Sequence, residues 1–168
     1  MQNNIILGVD LDDTCIRTSI KHSNDCIPRV KVHVIPSAIK YLPLIQHELG
    51  CTLHLITARP SDYMSMEEVK MLVFRIEREA GVKFDAIRHT DYAPKGYDAA
   101  QLNCNFMIDD CVEYLATCWR QKPAPVPILF GKNDKKAKRL DFECVGCQSW
   151  KEVYDYLKEY KINNVFKF

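Results

Sequence analysis

Three acids, Asp10, Asp12 and Asp13, crowd into the stretch ILGVDLDDT (6–14). Carboxylates this close repel one another unless a cation lies between them, and their oxygens suit Mg²⁺. An Asp-rich turn after a strand explains the same residues without a metal, because Asp is a good turn former. A second pair of acids, Asp109 and Asp110, ends the apolar run CNFMIDD. Between the two acidic stretches stand Thr57 and Arg59, after CTLHLI, and Lys95, in APKGYDAAQL. A hydroxyl and an ammonium can hold a phosphate and carboxylates can hold Mg²⁺, with one carboxylate left free to act on a substrate. Brought together, these residues suffice for phosphoryl transfer to an enzyme carboxylate: nucleophile, proton donor, metal and charge neutralisation.

A sheet must bring them together. Short apolar runs bounded by polar residues read as buried parallel strands at 5–9, 51–57, 82–88, 104–108 and 126–130, with a short strand at 142–145. Helical spacing fills the intervals. Ala38, Ile39, Leu42, Ile45 and Leu49 form one face, closed by Gly50, with a kink or late start expected at Pro43. Ser61 or Asp62 is expected to cap the next helix, whose face is Val69, Leu72, Val73, Ile76 and Ala80. A short helix runs through Leu102, and another places Leu115, Cys118 and Trp119 on one side. The last helix opens on the capping-box pattern Ser149-Trp150-Lys151-Glu152 and buries Trp150, Val153, Tyr154 and Leu157. Residues 15–34 show no sustained period, and 131–140 (GKNDKKAKRL) read as a basic loop. Alternating strands and helices imply right-handed βαβ units. The expected architecture is α/β: a doubly wound, mainly parallel sheet in a three-layer sandwich, whose strand ends meet at one edge. One domain spans 1–168, with a flap at 15–35 and a short tail at 161–168.

In order and spacing these motifs resemble those of haloacid dehalogenase (HAD)-superfamily phosphatases, over about residues 4–145. GVDLDDT matches the family's DxDx[TV] strand, LHLITAR its strand ending in Ser or Thr, APKGYDAAQL its helix-opening Lys, and FMIDD its strand ending in paired acids. The resemblance implies roles. Asp10 is the nucleophile, forming an aspartyl-phosphate, and Asp12 protonates the leaving oxygen and then activates water. Mg²⁺ is held by Asp10, the backbone carbonyl of Asp12 and Asp109, with Asp110 supporting directly or through water. Thr57 and Lys95 grip the phosphoryl oxygens. An acid at Asp12 fits phosphatases and phosphomutases and disfavours dehalogenation. Asp13 occupies a place often held by Gly and reads as a turn residue. Arg59 is expected on the substrate phosphate, although a carboxylate partner or a helix start fits its position equally.

Composition narrows the rest. The chain has 168 residues, 47% hydrophobic and 27% charged, with a formal net charge of +1, so any electrostatic preference must come from local clusters. The N-terminus lacks the basic region of a signal peptide, and no segment reaches the roughly 18 apolar residues of a membrane span. Eight cysteines without a secretory leader read as free thiols in a reducing cytoplasm. Cys144-x-x-Cys147 lacks the two further ligands of a zinc site, and the histidines show no ligand spacing.

HAD phosphatases select substrates largely through cap insertions. Only about 25 residues separate Asp10 from the first helix, enough for a flap and not a cap domain. An open site admits a macromolecule, or a small phosphate when the flap or a second subunit of a homo-oligomer covers it. Arg17, Lys21, His22, Arg29, Lys31 and His33, with Lys132, Lys135, Lys136, Lys138 and Arg139, favour polyanions if they overhang the site; otherwise they are solvated loop charges. A weaker similarity to the deoxynucleotidase branch, including the W-x-E-V-Y pattern at 150–154, makes a nucleotide the first substrate choice. Nucleic-acid ends and phosphoproteins are alternatives, as is a catalytically silent HAD-like binding domain. A receiver-like signalling domain fits poorly, because its paired acids come first and here they come last.

Overall fold

The computed structural model describes residues 4–21, 29–62, 64–91, 93–132 and 134–165. Six strands form one parallel sheet in the order β5 (Phe84–His89), β4 (Thr52–Thr57), β1 (Ile6–Val9), β6 (Phe106–Asp109), β7 (Val126–Phe130) and β8 (Val145–Cys147). The chain leaves central β1 in one direction to β4 and β5, then returns to β6, β7 and β8 on the other side. This reversal places a topological switch point at the carboxyl ends of β1 and β6.

Strand alternation builds two separate cores. Leu7, Val9, Leu53, Leu55, Phe106, Ile108, Ile128 and Phe130 face one way, against α1 (Pro36–Pro43), α2 (Met66–Ala80) and α6 (Trp150–Val165). Ile56, Met107 and Leu129 face the other way, against Ala99 of α3 (Lys95–Gln101) and Leu115 and Cys118 of α4 (Val112–Cys118). The result is the expected doubly wound three-layer sandwich. Burying both faces explains why the strands read as continuous apolar runs.

Several elements differ from the sequence reading. The stretch after the acidic turn is regular: β2 (Ile16–Lys21) and β3 (Arg29–Val34) form an antiparallel ribbon with Ile16 opposite Val34 and Arg17 opposite His33. Residues 22–28, which include His22, lie outside the described residues. Pro43 has no N–H to continue the ladder of α1, and the chain passes into a π-helical turn, Leu44–Glu48. The cap of α2 is Ser65, not Ser61 or Asp62: Glu68 N–H donates to Ser65 Oγ (3.3 Å) and Ser65 N–H to Glu68 Oε2 (2.8 Å). Ser61 is engaged elsewhere, its N–H and Oγ donating to Asp91 at 2.8 and 2.9 Å. Trp119 lies just past the end of α4 and is 59% exposed, off the buried face. Residues 134–137 of the basic loop form a helical turn, α5 (Asp134–Ala137), held in part by a Lys138–Asp134 ion pair. The sixth strand pairs at Val145–Cys147 rather than 142–145. Helix α6 continues through Val165, so most of the expected tail is helical.

Helices α3 and α4 approach so closely that only glycine fits at position 96. A Cβ there would meet the backbone of Thr117 and Cys118 at 2.4 Å. Gly96→Ala should destabilise the protein by about 3 kcal/mol, the upper range for overpacking, because backbone rather than a mobile side chain must yield. A urea titration should show the midpoint falling.

Candidate active site

The site forms where β1, β4 and β6 end. Asp10 N–H donates to the Ile108 carbonyl at 2.9 Å, extending the β1–β6 ladder by one residue and bringing Asp10 beside Asp109. The chain then turns sharply. Cys15 and Ile16 N–H both return to the Leu11 carbonyl at 3.0 Å, and Asp13 takes a left-handed φ of 51°. Asp tolerates that conformation better than most residues, which accounts for its place where the resembled family often has Gly. The Trp150 indole of α6 donates to the Thr14 carbonyl at 2.9 Å and pins this turn to the core.

Lys95 opens α3 and is only 3% exposed. Its ammonium donates to Asp10 Oδ1 at 2.5 Å and Asp109 Oδ2 at 2.9 Å. Cys111 N–H donates to the other Asp109 oxygen at 2.9 Å. Asp10, Asp109 and Asp110 each offer a carboxylate oxygen, and these oxygens lie within 4.8 Å of one another. Among the described residues no other group of His, Cys, Asp or Glu is so placed.

Burial, then the charge of Asp109, pushes Asp10 up to about 8, although Lys95 opposes the rise. Burial also raises Asp109 and Asp110. For Lys95, burial alone would lower the pKa, but Asp10 and Asp109 prevail and raise it, so the ammonium stays charged. Fully ionised, three carboxylates around one ammonium carry a net charge of −2. An all-oxygen donor set with that deficit suits a hard divalent cation.

Thr57, the last residue of β4, is fully buried, and its Oγ has no hydrogen-bond partner. A buried hydroxyl is normally satisfied, so its orphan state at the cavity wall points to a ligand atom. Arg59 forms a bidentate pair with Asp12: Nε donates to Oδ2 at 2.6 Å and Nη2 to Oδ1. Of the partners left open for Arg59, the structure has it on a carboxylate. His89 reaches the Arg59 carbonyl from β5.

These residues line one cavity of about 400 Å³, with Thr18, Ala58, Pro60, Cys111 and Tyr114 completing the wall. All seven candidate residues from the sequence therefore meet in one place: Asp10, Asp12, Thr57, Arg59, Lys95, Asp109 and Asp110. Thr18 and Tyr114 went unrecognised. Thr18 belongs to the ribbon, whose period-2 pattern was the available signal; Tyr114 carries none. The ribbon's alternation also places its charges. Thr18 and Val32 share a face, while Arg17, Ser19, Lys31 and His33 share the other, away from the cavity lining.

No protein-family model matches the sequence, and no curated protein is similar enough in sequence to be a relative. Solved structures are similar over nearly the whole chain. A Vibrio cholerae protein assigned as a 3-deoxy-D-manno-octulosonate 8-phosphate phosphatase matches with a TM-score of 0.58 at 14% identity, over 96% of this chain and 87% of its own. The 3-deoxy-D-manno-octulosonate 8-phosphate phosphatase of Moraxella catarrhalis, crystallised with magnesium, phosphate and KDO, matches at 0.58 and 16%, over 98% and 92%. A hypothetical protein from Xanthomonas campestris matches at 0.58 and 13%, over 99% and 91%. The chain has the HAD-like fold. Among the described residues no cap domain is inserted: the ribbon lies between β1 and α1, and α2 and β5 lie between β4 and α3.

The cysteine thiols carry no role in this chemistry, although Cys111 lies in the cavity wall. Cys15, Cys51, Cys104, Cys111, Cys118, Cys144 and Cys147 are free thiols. Burial pushes Cys147 up to about 12 and Cys144 to about 11, which leaves the CxxC pair little thiolate character. Among the described residues no helix is long and apolar enough to cross a membrane.

Proposed function

We propose that this chain is a Mg²⁺-dependent phosphomonoester hydrolase that works through an aspartyl-phosphate at Asp10. The observation that carries the reading is the cluster of Asp10, Asp109 and Asp110, with the Lys95 ammonium paired to the first two, beside the orphan Thr57 hydroxyl. Asp10 attacks the phosphorus, and the bond to the leaving oxygen breaks with its electron pair going to that oxygen. The carboxyl of Asp12 supplies the proton the leaving oxygen takes up. Asp12, now a carboxylate, deprotonates a water that attacks phosphorus, and the acyl–phosphate bond breaks to regenerate Asp10 and release phosphate. Lys95 and Thr57 hold the phosphoryl oxygens, and Arg59 fixes the direction of Asp12. Mg²⁺ would be held by Asp10, Asp109 and Asp110 with the Asp12 backbone carbonyl, and would neutralise charge developing on the phosphoryl group.

The cavity's size suits a small ligand. A nucleoside monophosphate is the first choice, on the similarity to deoxynucleotidases. A sugar phosphate is the second, on the fold shared with a 3-deoxy-D-manno-octulosonate 8-phosphate phosphatase. Nucleic-acid ends are disfavoured because the described bases of the ribbon share the face opposite Thr18. The setting is a reducing cytoplasm, and a second copy of the chain is a candidate cover for the open site. A panel of phosphate esters tested with Mg²⁺ and with chelator decides the substrate. Mg²⁺-dependent release of phosphate from small esters is expected; release only from phosphorylated oligonucleotides or phosphopeptides would overturn the small-molecule reading.

Thr57→Val separates binding from folding. Valine keeps the branched shape that suits a strand and replaces an unpartnered hydroxyl, so the melting temperature should hold or rise slightly. Loss of a hydrogen bond to a charged phosphoryl oxygen, about 1.5–3 kcal/mol, should cut kcat/KM by roughly 10- to 150-fold.

A further inference from the structure

We propose that Tyr114 is a positioning residue for Lys95: its ring forms the wall that keeps the ammonium between Asp10 and Asp109 while the charge on Asp10 changes. The inference rests on the phosphatase reading above and extends it to a residue outside the resembled motifs.

Lys95 Nζ lies 4.4 Å from the centroid of the Tyr114 ring. Two sides of the ammonium are taken by Asp10 and Asp109, and the ring covers a third. The backbones carrying these two side chains are also tied together. Thr117 Oγ accepts from Gly96 N–H at 2.8 Å and donates to the Tyr114 carbonyl at 2.6 Å. One hydroxyl thus links the residue after Lys95 to the turn that carries the ring. The close α3–α4 approach that excludes a side chain at Gly96 makes this link possible.

The chemistry gives the ring something to do. A lysine side chain is a flexible stem, and here its position depends mostly on two carboxylates. When Asp10 becomes an acyl phosphate its negative charge moves outward onto the phosphoryl oxygens, and the carboxylate oxygen that fixed the ammonium is no longer an anionic anchor. The face of a tyrosine attracts a cation through its quadrupole, and that attraction is the same before and after phosphoryl transfer. Tyr114 therefore matters most during turnover and least for initial binding.

Three variants test this. Tyr114→Leu keeps an apolar side chain without the ring and should lower kcat about tenfold on an aryl phosphate, with KM little changed. Tyr114→Phe keeps the ring and should retain most of kcat. In proton NMR of ¹³C-lysine-labelled protein, the ring should move a Lys95 ε-methylene signal upfield, identified by its loss in Lys95→Arg. That signal should survive in Tyr114→Phe and vanish in Tyr114→Leu, and it can be read without turnover. An active wild type without an upfield lysine signal would overturn the proposal, as would wild-type kcat in Tyr114→Leu. So would a rise in KM shared by both tyrosine variants, which would place Tyr114 on the substrate instead. If Tyr114→Leu does not fold, the signal in wild type and Tyr114→Phe still decides. A wild type that hydrolyses no phosphate ester would instead count against the phosphatase reading, leaving the NMR test standing.

Discussion

Asp10→Asn should abolish hydrolysis, lowering kcat by roughly four orders of magnitude or more, because an amide cannot take the phosphoryl group. The same substitution should leave the fold intact and even stabilise it. Asp10 is buried beside Asp109, and its pKa is pushed up to about 8. A carboxyl whose folded pKa is raised supports the fold fully below its unfolded value, and that support is lost as pH rises through the folded one. The fold therefore loses stability relative to the unfolded chain from about pH 4, where unfolded Asp10 ionises, up to about 8, where folded Asp10 does, in metal-free protein. Asparagine removes that cost, so the variant's advantage over wild type in chelator should grow across this range. Thermal melts at several pH values, read beside kinetics, check both halves. Loss of activity with gain of stability is the pattern of a site kept strained for function.

Lys95→Met should be the more damaging change, because it strikes activity and stability together. Lys95 is the ammonium between two buried carboxylates. Removing one partner of a buried ion pair costs about 3–5 kcal/mol, since the remaining charges lose compensation. Loss of a positioned positive charge at the phosphoryl group should cost a further roughly 10²–10³ in kcat. The sign of the pH dependence follows from Asp10. Lys95 holds the Asp10 pKa down against burial and Asp109, so its removal raises that pKa beyond about 8. Up to about pH 7 Asp10 keeps its proton in both proteins, so the stability gap between variant and wild type should widen from about pH 7 to about pH 9, where only the wild type ionises it. Denaturant titrations in chelator at those two pH values measure it; a gap that narrows with rising pH would contradict the charge balance described for the site.

The two damaging changes fall on residues visible in the sequence, and the reason is local. Asp10 and Asp109 each end an apolar run at a strand's carboxyl end, so an α/β topology is enough to bring them together. Lys95 and Thr57 became legible only as members of an ordered set of motifs, because a lone Lys or Thr after a strand says little. The ribbon was hidden for a different reason. Ile16-Arg17-Thr18-Ser19-Ile20-Lys21 alternates as a strand should, but its partner follows a long connection without a two-residue turn signal. Ser61 and Ser65 are both acceptable caps by residue type, and Asp91, distant in sequence, decides between them. The Arg59–Asp12 pair and the Tyr114–Lys95 contact join residues from separate elements with no shared periodicity. Such contacts depend on the three-dimensional meeting of loops and helices, which local pattern does not encode.

Chemical trapping of the phosphorylated residue tests the central claim most directly. Wild type and Asp12→Asn, which should hydrolyse the intermediate slowly, are mixed with Mg²⁺ and an aryl phosphate, quenched in acid and treated with borohydride. An acyl phosphate is reduced to an alcohol, so peptide mass spectrometry should find homoserine at position 10 and at no other aspartate. Turnover without that product, or its appearance at Asp12, Asp109 or Asp110 instead, would contradict the account.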